Sequence, residues 1–182
     1  MIEIGNFDAF YQQGMTFTSD DVLKMAEETR RLFPDIVLSV TIPHTLPLDE
    51  QIALAIALEE KGVDVIQTEG KLSANAASMG IQELIEVAAP SLASAYALSR
   101  VVEVPVMCSS GLTEVTAALA LQMGASGVGI GSMVNKLKSI NQMVLATSAI
   151  ASSIGRTKTA EPVRSMAPQS SASSPAHVSQ SL

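Results

Sequence analysis

The sequence predicts a parallel α/β domain, and two observations carry that prediction. Strand-like and helix-like segments alternate six times, mostly through short connections. The strand-like runs are apolar in their middles and end in polar residues, as parallel strands covered on both faces do.

The elements follow in order. Residues 2–5 form a short strand, followed by Asn6, Phe7, Asp8 and a loop to Gly14. Thr18 and Ser19 offer a capping hydroxyl, and Asp20 and Asp21 place acids in the first turn of a helix that Pro34 stops. Residues 36–42 form the second strand, and the turn Pro43-His44-Thr45 closes it. Pro47 suits a first helical position, with Asp49 and Glu50 behind it, and that helix runs to Lys61 before Gly62. The third strand covers 63–68 and ends in Glu69-Gly70. The polar loop 71–78 is the longest connection and is expected to act as a mobile lid. A helix over 81–88, a fourth strand over 91–95 and a short helix to Val101 come next. The fifth strand (105–109), its helix (114–123), the sixth strand (127–130) and a last helix (133–153) complete the ordered part. Beyond it the periodicity disappears. Ser, Ala, Pro and Gln dominate 155–182, the composition of a disordered tail.

Six strands would complete an open doubly wound sheet, but such a sheet carries its dinucleotide fingerprint after the first strand. GNFDAFYQQG is not G-x-G-x-x-G, and no G-x-x-x-x-G-K-S/T loop is present. The glycine-rich turn instead follows the last strand, where (β/α)8 barrels keep their phosphate site. The prediction is therefore a barrel-type domain over 1–154, missing its first two βα units.

Composition narrows the function. Apolar residues make up 47% of the chain and aromatics only 3%, too few to build a stacking surface for single-stranded nucleic acid. The net charge is -7, with 8 basic residues against 17 acidic ones up to Ile154. So acidic a body is a poor general binder of nucleic acid or anionic membrane, and any anion must be held by a local feature. No apolar run approaches a membrane span, and the opening MIEIGNFD has neither a basic signal-like start nor an Arg/Ser-rich transit composition. Cys108 is the single cysteine, which excludes an intramolecular disulfide.

In a barrel, chemistry comes from the carboxyl ends of strands. Those ends here hold Asn6 and Asp8, Thr41 and His44, Thr68 and Glu69, Ser94, then Cys108, Ser109 and Ser110, and finally Gly129, Gly131 and Ser132. Two turns, Ser109-Ser110-Gly111 and Gly129-Ile130-Gly131-Ser132, each lie between a strand and a helix. Unpaired backbone N–H groups there suit a phosphate, so Ser110, Gly111, Gly129, Gly131 and Ser132 are the predicted grip. The same glycines also serve tight turns. Glu69 and His44 are candidate acid/base groups, with Asp8 beside them; each also fits a loop-bracing role. Asn6, Thr41, Thr68, Cys108 and Ser109 are expected to line the pocket. Glu3 lies inside a strand and would need a partner such as Thr41 or Gln67 if it points inward. No strand carries a Lys for Schiff-base chemistry, and no spaced ligand set suggests a metal.

The blocks IEIGNFDAFY, LSVTIPHTLPLDEQ, GVDVIQTEG, APSLASAYALSRVVEVPVMCSSGL and GASGVGIGSMVNKL occur in that order. This series resembles the uncharacterised ycf family of cyanobacteria and plastids, the hypothetical chloroplast reading frame numbered twenty-three. The resemblance covers residues 1–150. It implies an aldolase-type (β/α)8 barrel in the plastid with no established reaction, and Met1 then falls where the third strand is already under way. The expected ligand is a small phosphorylated metabolite, with a flavin phosphate as a variant. Exposed sheet edges predict self-association. The contrasting expectation is a non-catalytic plastid binding or regulatory protein that retains the phosphate pocket.

Overall fold

The structure, a computed structural model, describes residues 1–5, 7–70 and 80–155. The expected lid at 71–78 and all but the first residue of the expected tail lie outside them. Among the described residues five parallel strands form one sheet: β1 (Ile2–Ile4), β2 (Leu38–Ile42), β3 (Val65–Thr68), β4 (Val106–Ser109) and β5 (Gly127–Gly129). The helices are α1 (Asp8–Tyr11), α2 (Ser19–Leu32), α3 (Leu48–Glu60), α4 (Ile81–Leu98), α5 (Ala117–Gln122), α6 (Ser132–Asn135) and α7 (Ile140–Gly155).

The local chemistry explains the boundaries. Thr18 caps α2 with a full capping box, its hydroxyl accepting from Asp21 N at 3.2 Å while Asp21 Oδ2 accepts from Thr18 N at 3.0 Å. Gly62, at φ 78°, closes α3 in the left-handed conformation that glycine adopts without penalty.

One expected strand is absent. Residues 91–95 belong to α4, which runs through Pro90 without ending. The reason is periodicity: Ala88, Ser91, Leu92, Ser94, Ala95 and Leu98 are buried at three- and four-residue spacing, one face of a helix. Packing of that face outweighs the backbone hydrogen bond that Pro90 cannot donate. Ser94 is therefore no strand end. Its hydroxyl donates to Gln51 Oε1 at 2.8 Å and ties α4 to α3. The helix expected over 114–123 begins at Ala117, and the last expected helix is two, α6 and α7.

Strand order follows chain order, β1 to β5. A doubly wound sheet reverses order at its centre; this one does not. With successive neighbours joined through helices, the rule of right-handed crossovers places those helices on one face of the sheet. Register and side-chain alternation then sort the sheet. Ile4, Val40, Ile66 and Val106 are aligned in one row, and with Leu38, Ile42 and Cys108 they pack into the helical core. The opposite parity carries Glu3, Ser39, Thr41, Gln67, Met107 and Ser109, a mainly polar face. Glu3 lies there exposed, at the edge strand. Among the described residues β1 and β5 each have one neighbour.

Candidate functional site

Glu69 follows β3 directly and is only 5% exposed. One of its oxygens, Oε2, takes three contacts. Tyr11 donates its hydroxyl at 2.8 Å, the His44 backbone N–H donates at 3.0 Å, and the His44 ring Nδ1 lies at 3.0 Å. The Tyr11 and His44 rings meet edge to face, centroids 5.3 Å apart and planes at 79°. Residues from the carboxyl ends of β1, β2 and β3 thus converge on one carboxylate.

The sequence folds this way for local reasons. Phe7 is 2% exposed, packs against Phe17 with ring centroids 4.7 Å apart and planes tilted by 40°, and anchors the short α1 that ends in Tyr11. After β2, the turn holding His44 is closed by Leu46 N donating to Pro43 O at 3.3 Å. Gln51 braces that turn, its amide donating to Leu46 O at 2.9 Å.

A second polar chain crosses the face that the helices leave uncovered. Gln67 Nε2 donates to Ser39 Oγ at 2.8 Å, and Ser109 Oγ donates to Gln67 Oε1 at 3.1 Å. Thr41, 6% exposed, shares this face and lies so close over Gly5 that no Cβ would fit there. Ser109 lies over Gly129 in the same way. Gly5, just past β1, and Gly129, in β5, make room for polar side chains of the neighbouring strands.

The other expected site residues divide. Thr68 is on the helix-covered face, accepting from Ser109 N at 3.0 Å and within reach of Ser109 O at 3.1 Å, so it ties β3 to β4 instead of lining a pocket. Cys108 is also on that face, fully buried, its Sγ donating to Ser91 O at 3.4 Å. Burial pushes its thiol up to about 11, which leaves it a core residue. Asn6 and the side chain of Asp8 lie outside the described residues; Asp8 opens α1.

In the first expected phosphate turn, Ser110 is the one non-glycine at positive φ among the described residues, at 73°. Its carbonyl accepts from Ser91 Oγ at 2.8 Å. Gly111, at φ 72°, packs so that a Cβ would lie 2.5 Å from Val87 O, which gives this glycine a packing role under α4. A Cβ on Gly70 would stand 3.3 Å from Ser110 Cβ, so the Glu69-Gly70 corner abuts this turn. In the second turn Gly131 precedes the single-turn α6, which Ser132 opens. A Cβ on Gly131 would meet only Asn135 Nδ2 at 3.9 Å.

Sequence reasoning missed Tyr11. Its signal was available: one of only two tyrosines, in a segment just after a strand. Among the described residues no helix is long and apolar enough to cross a membrane.

Fold and site together define a parallel α/β protein with a polar cluster at the carboxyl edge of its five-stranded sheet. The solved structures it resembles include an Amycolatopsis orientalis BexX/CysO complex, with a TM-score of 0.54 at 17% identity over 84% of this chain and 56% of that one. A native KDPGal structure matches with a TM-score of 0.50 at 14% identity, over 78% and 56% of the two chains. Residues 1–160 match the family described as Protein of unknown function (DUF561). The chain is 48% identical over 144 residues to the uncharacterized protein ycf23 of Cyanophora paradoxa, covering 79% of this chain and 59% of the relative. To ycf23 of Porphyra purpurea it is 39% identical over 145 residues, covering 80% and 55%. The chain belongs to the ycf23 family, known from the plastid genomes of red algae and a glaucophyte. It spans a little over half the length of these two relatives.

Proposed function

We propose that this chain forms the greater part of an aldolase-type barrel enzyme that acts by acid/base chemistry on a small phosphorylated metabolite in the plastid. One observation carries the reading: groups of Tyr11 and His44, which follow β1 and β2, converge on Oε2 of Glu69, which follows β3, at the edge where barrel enzymes work. Sequential strand order and the polar inner face support a barrel whose remaining βα units lie in the part of the relatives that this chain does not span. The turns at Ser110-Gly111 and at Gly129, Gly131 and Ser132 would hold the phosphate. The abutment of Gly70 on Ser110 favours a ligand that reaches from Glu69 to the first of them. A flavin phosphate at the same turns is the variant that purified protein would reveal by its colour.

Saturation of Glu69 Oε2 by protein groups also favours a second reading, a non-catalytic plastid sensor in which Glu69 only orders its loops. Binding of a panel of phosphorylated metabolites to the wild type, Gly131→Val and His44→Asn separates the cases. The enzyme reading expects binding that Gly131→Val weakens, together with substrate turnover that His44→Asn removes. Absence of binding by every member of the panel overturns both readings.

A further inference from the structure

We infer that His44 Nε2 is the proton-transferring atom of this site, and that Glu69 and Tyr11 are positioning residues that present it. The inference rests on the acid/base reading above and assigns the roles within it.

Glu69 Oε2 sets the tautomer of His44. An oxygen that already accepts the Tyr11 hydroxyl and the His44 backbone N–H acts as an acceptor, so the ring contact at 3.0 Å is made by Nδ1–H. A neutral imidazole carrying its hydrogen on Nδ1 keeps its lone pair on Nε2. Among the described residues Nε2 takes part in no hydrogen bond. Exposure points the same way: the His44 side chain is 19% exposed and that of Glu69 only 4%. A ligand therefore reaches the imidazole before the carboxylate. Tyr11 acts twice, fixing Oε2 through its hydroxyl and restraining the imidazole through its ring.

The step balances without any co-reactant. The Nε2 lone pair takes a proton from a ligand O–H, or from a C–H beside a carbonyl, and the electron pair of the broken bond stays on the ligand. The Nδ1–H contact then becomes an imidazolium–carboxylate pair, and the return step gives the proton back from Nε2. Glu69 gains and loses nothing.

The test reads the imidazole directly. The chain has two histidines, so His177→Gln leaves His44 alone for nitrogen-15 NMR. The expected neutral form shows hydrogen on Nδ1 and a bare Nε2, and Glu69→Ala loses that bias. Diethyl pyrocarbonate should modify His44 of the folded chain at Nε2, at a rate near that of free acetylhistidine. A neutral form with hydrogen on Nε2 overturns the assignment, as does an Nε2 that the reagent cannot reach. Both readouts need no ligand. A wrong tautomer with metabolites bound would sink this assignment alone, whereas a correct tautomer with no metabolite bound would sink the function proposed above.

Discussion

Tyr11 and His44 stand 33 residues apart in the chain, yet their rings meet edge to face at 5.3 Å because both are aimed at one oxygen of Glu69. That convergence is energetic as well as geometric. A buried acceptor serving three donors makes each of them dependent on it.

Tyr11→Phe keeps the ring contact and removes one donor. It should cost about 1 kcal/mol in urea unfolding, the net worth of a single hydrogen bond. Glu69→Ala removes the shared acceptor of all three contacts and should cost roughly 2–3 kcal/mol. Equal costs for the two variants would argue that the His44 contacts add nothing to stability.

The glycines of the two turns should part company. Gly111→Ala must bring a Cβ to within 2.5 Å of Val87 O at a positive φ, so a loss of roughly 2–3 kcal/mol or more is expected. Gly131→Ala, at φ -105° with its nearest foreign atom 3.9 Å away, should leave the unfolding midpoint nearly unchanged. Thermal melts of the two variants side by side make the comparison.

Acid should weaken one particular tie at the opposite edge of the sheet. The Leu38 N–H at 2.7 Å, and after it the Arg30 guanidinium, hold the Asp64 carboxyl below its ordinary value. A carboxyl depressed in the folded state contributes stability above its unfolded pKa, about 4, and loses it as pH falls through the folded value. Asp64 is half exposed, so solvent discounts the effect to about 1 kcal/mol. Asp64→Asn should therefore be less stable than the wild type at pH 7, and the gap should close in acid. A gap that stays constant with pH would remove the carboxylate from the account.

Cys108 should resist iodoacetamide at neutral pH in the folded chain and react once denatured, since its thiol is buried and pushed up to about 11. Rapid labelling of native protein would place the thiol in an accessible cleft.

Much of this was legible in the residues, and the misses have physical causes. All five observed strands fall within predicted ones, because short apolar runs closed by Gly or Pro leave little else for them to be. The expected strand at 91–95 cuts one helix in two, whereas the buried stripe from Ala88 to Leu98 keeps helical spacing across Pro90. Position at strand ends alone places Thr68 and Cys108 in the pocket. Parity would have separated them, since Thr41, Gln67 and Ser109 share one face and Thr68 and Cys108 the other. The sequence nominates Glu69 and His44 separately. Their pairing depends on neighbouring strands and on a turn held by Gln51, and those contacts form only when the sheet does.

The most direct test is a two-dimensional NMR titration of the chain with a panel of phosphorylated metabolites. The account predicts that one member or more shifts His44, Glu69, Ser110, Gly111 and Gly131 together, with the Glu69 and His44 signals moving at the same ligand concentration. Shifts confined to other surfaces, or none across the panel, would contradict it.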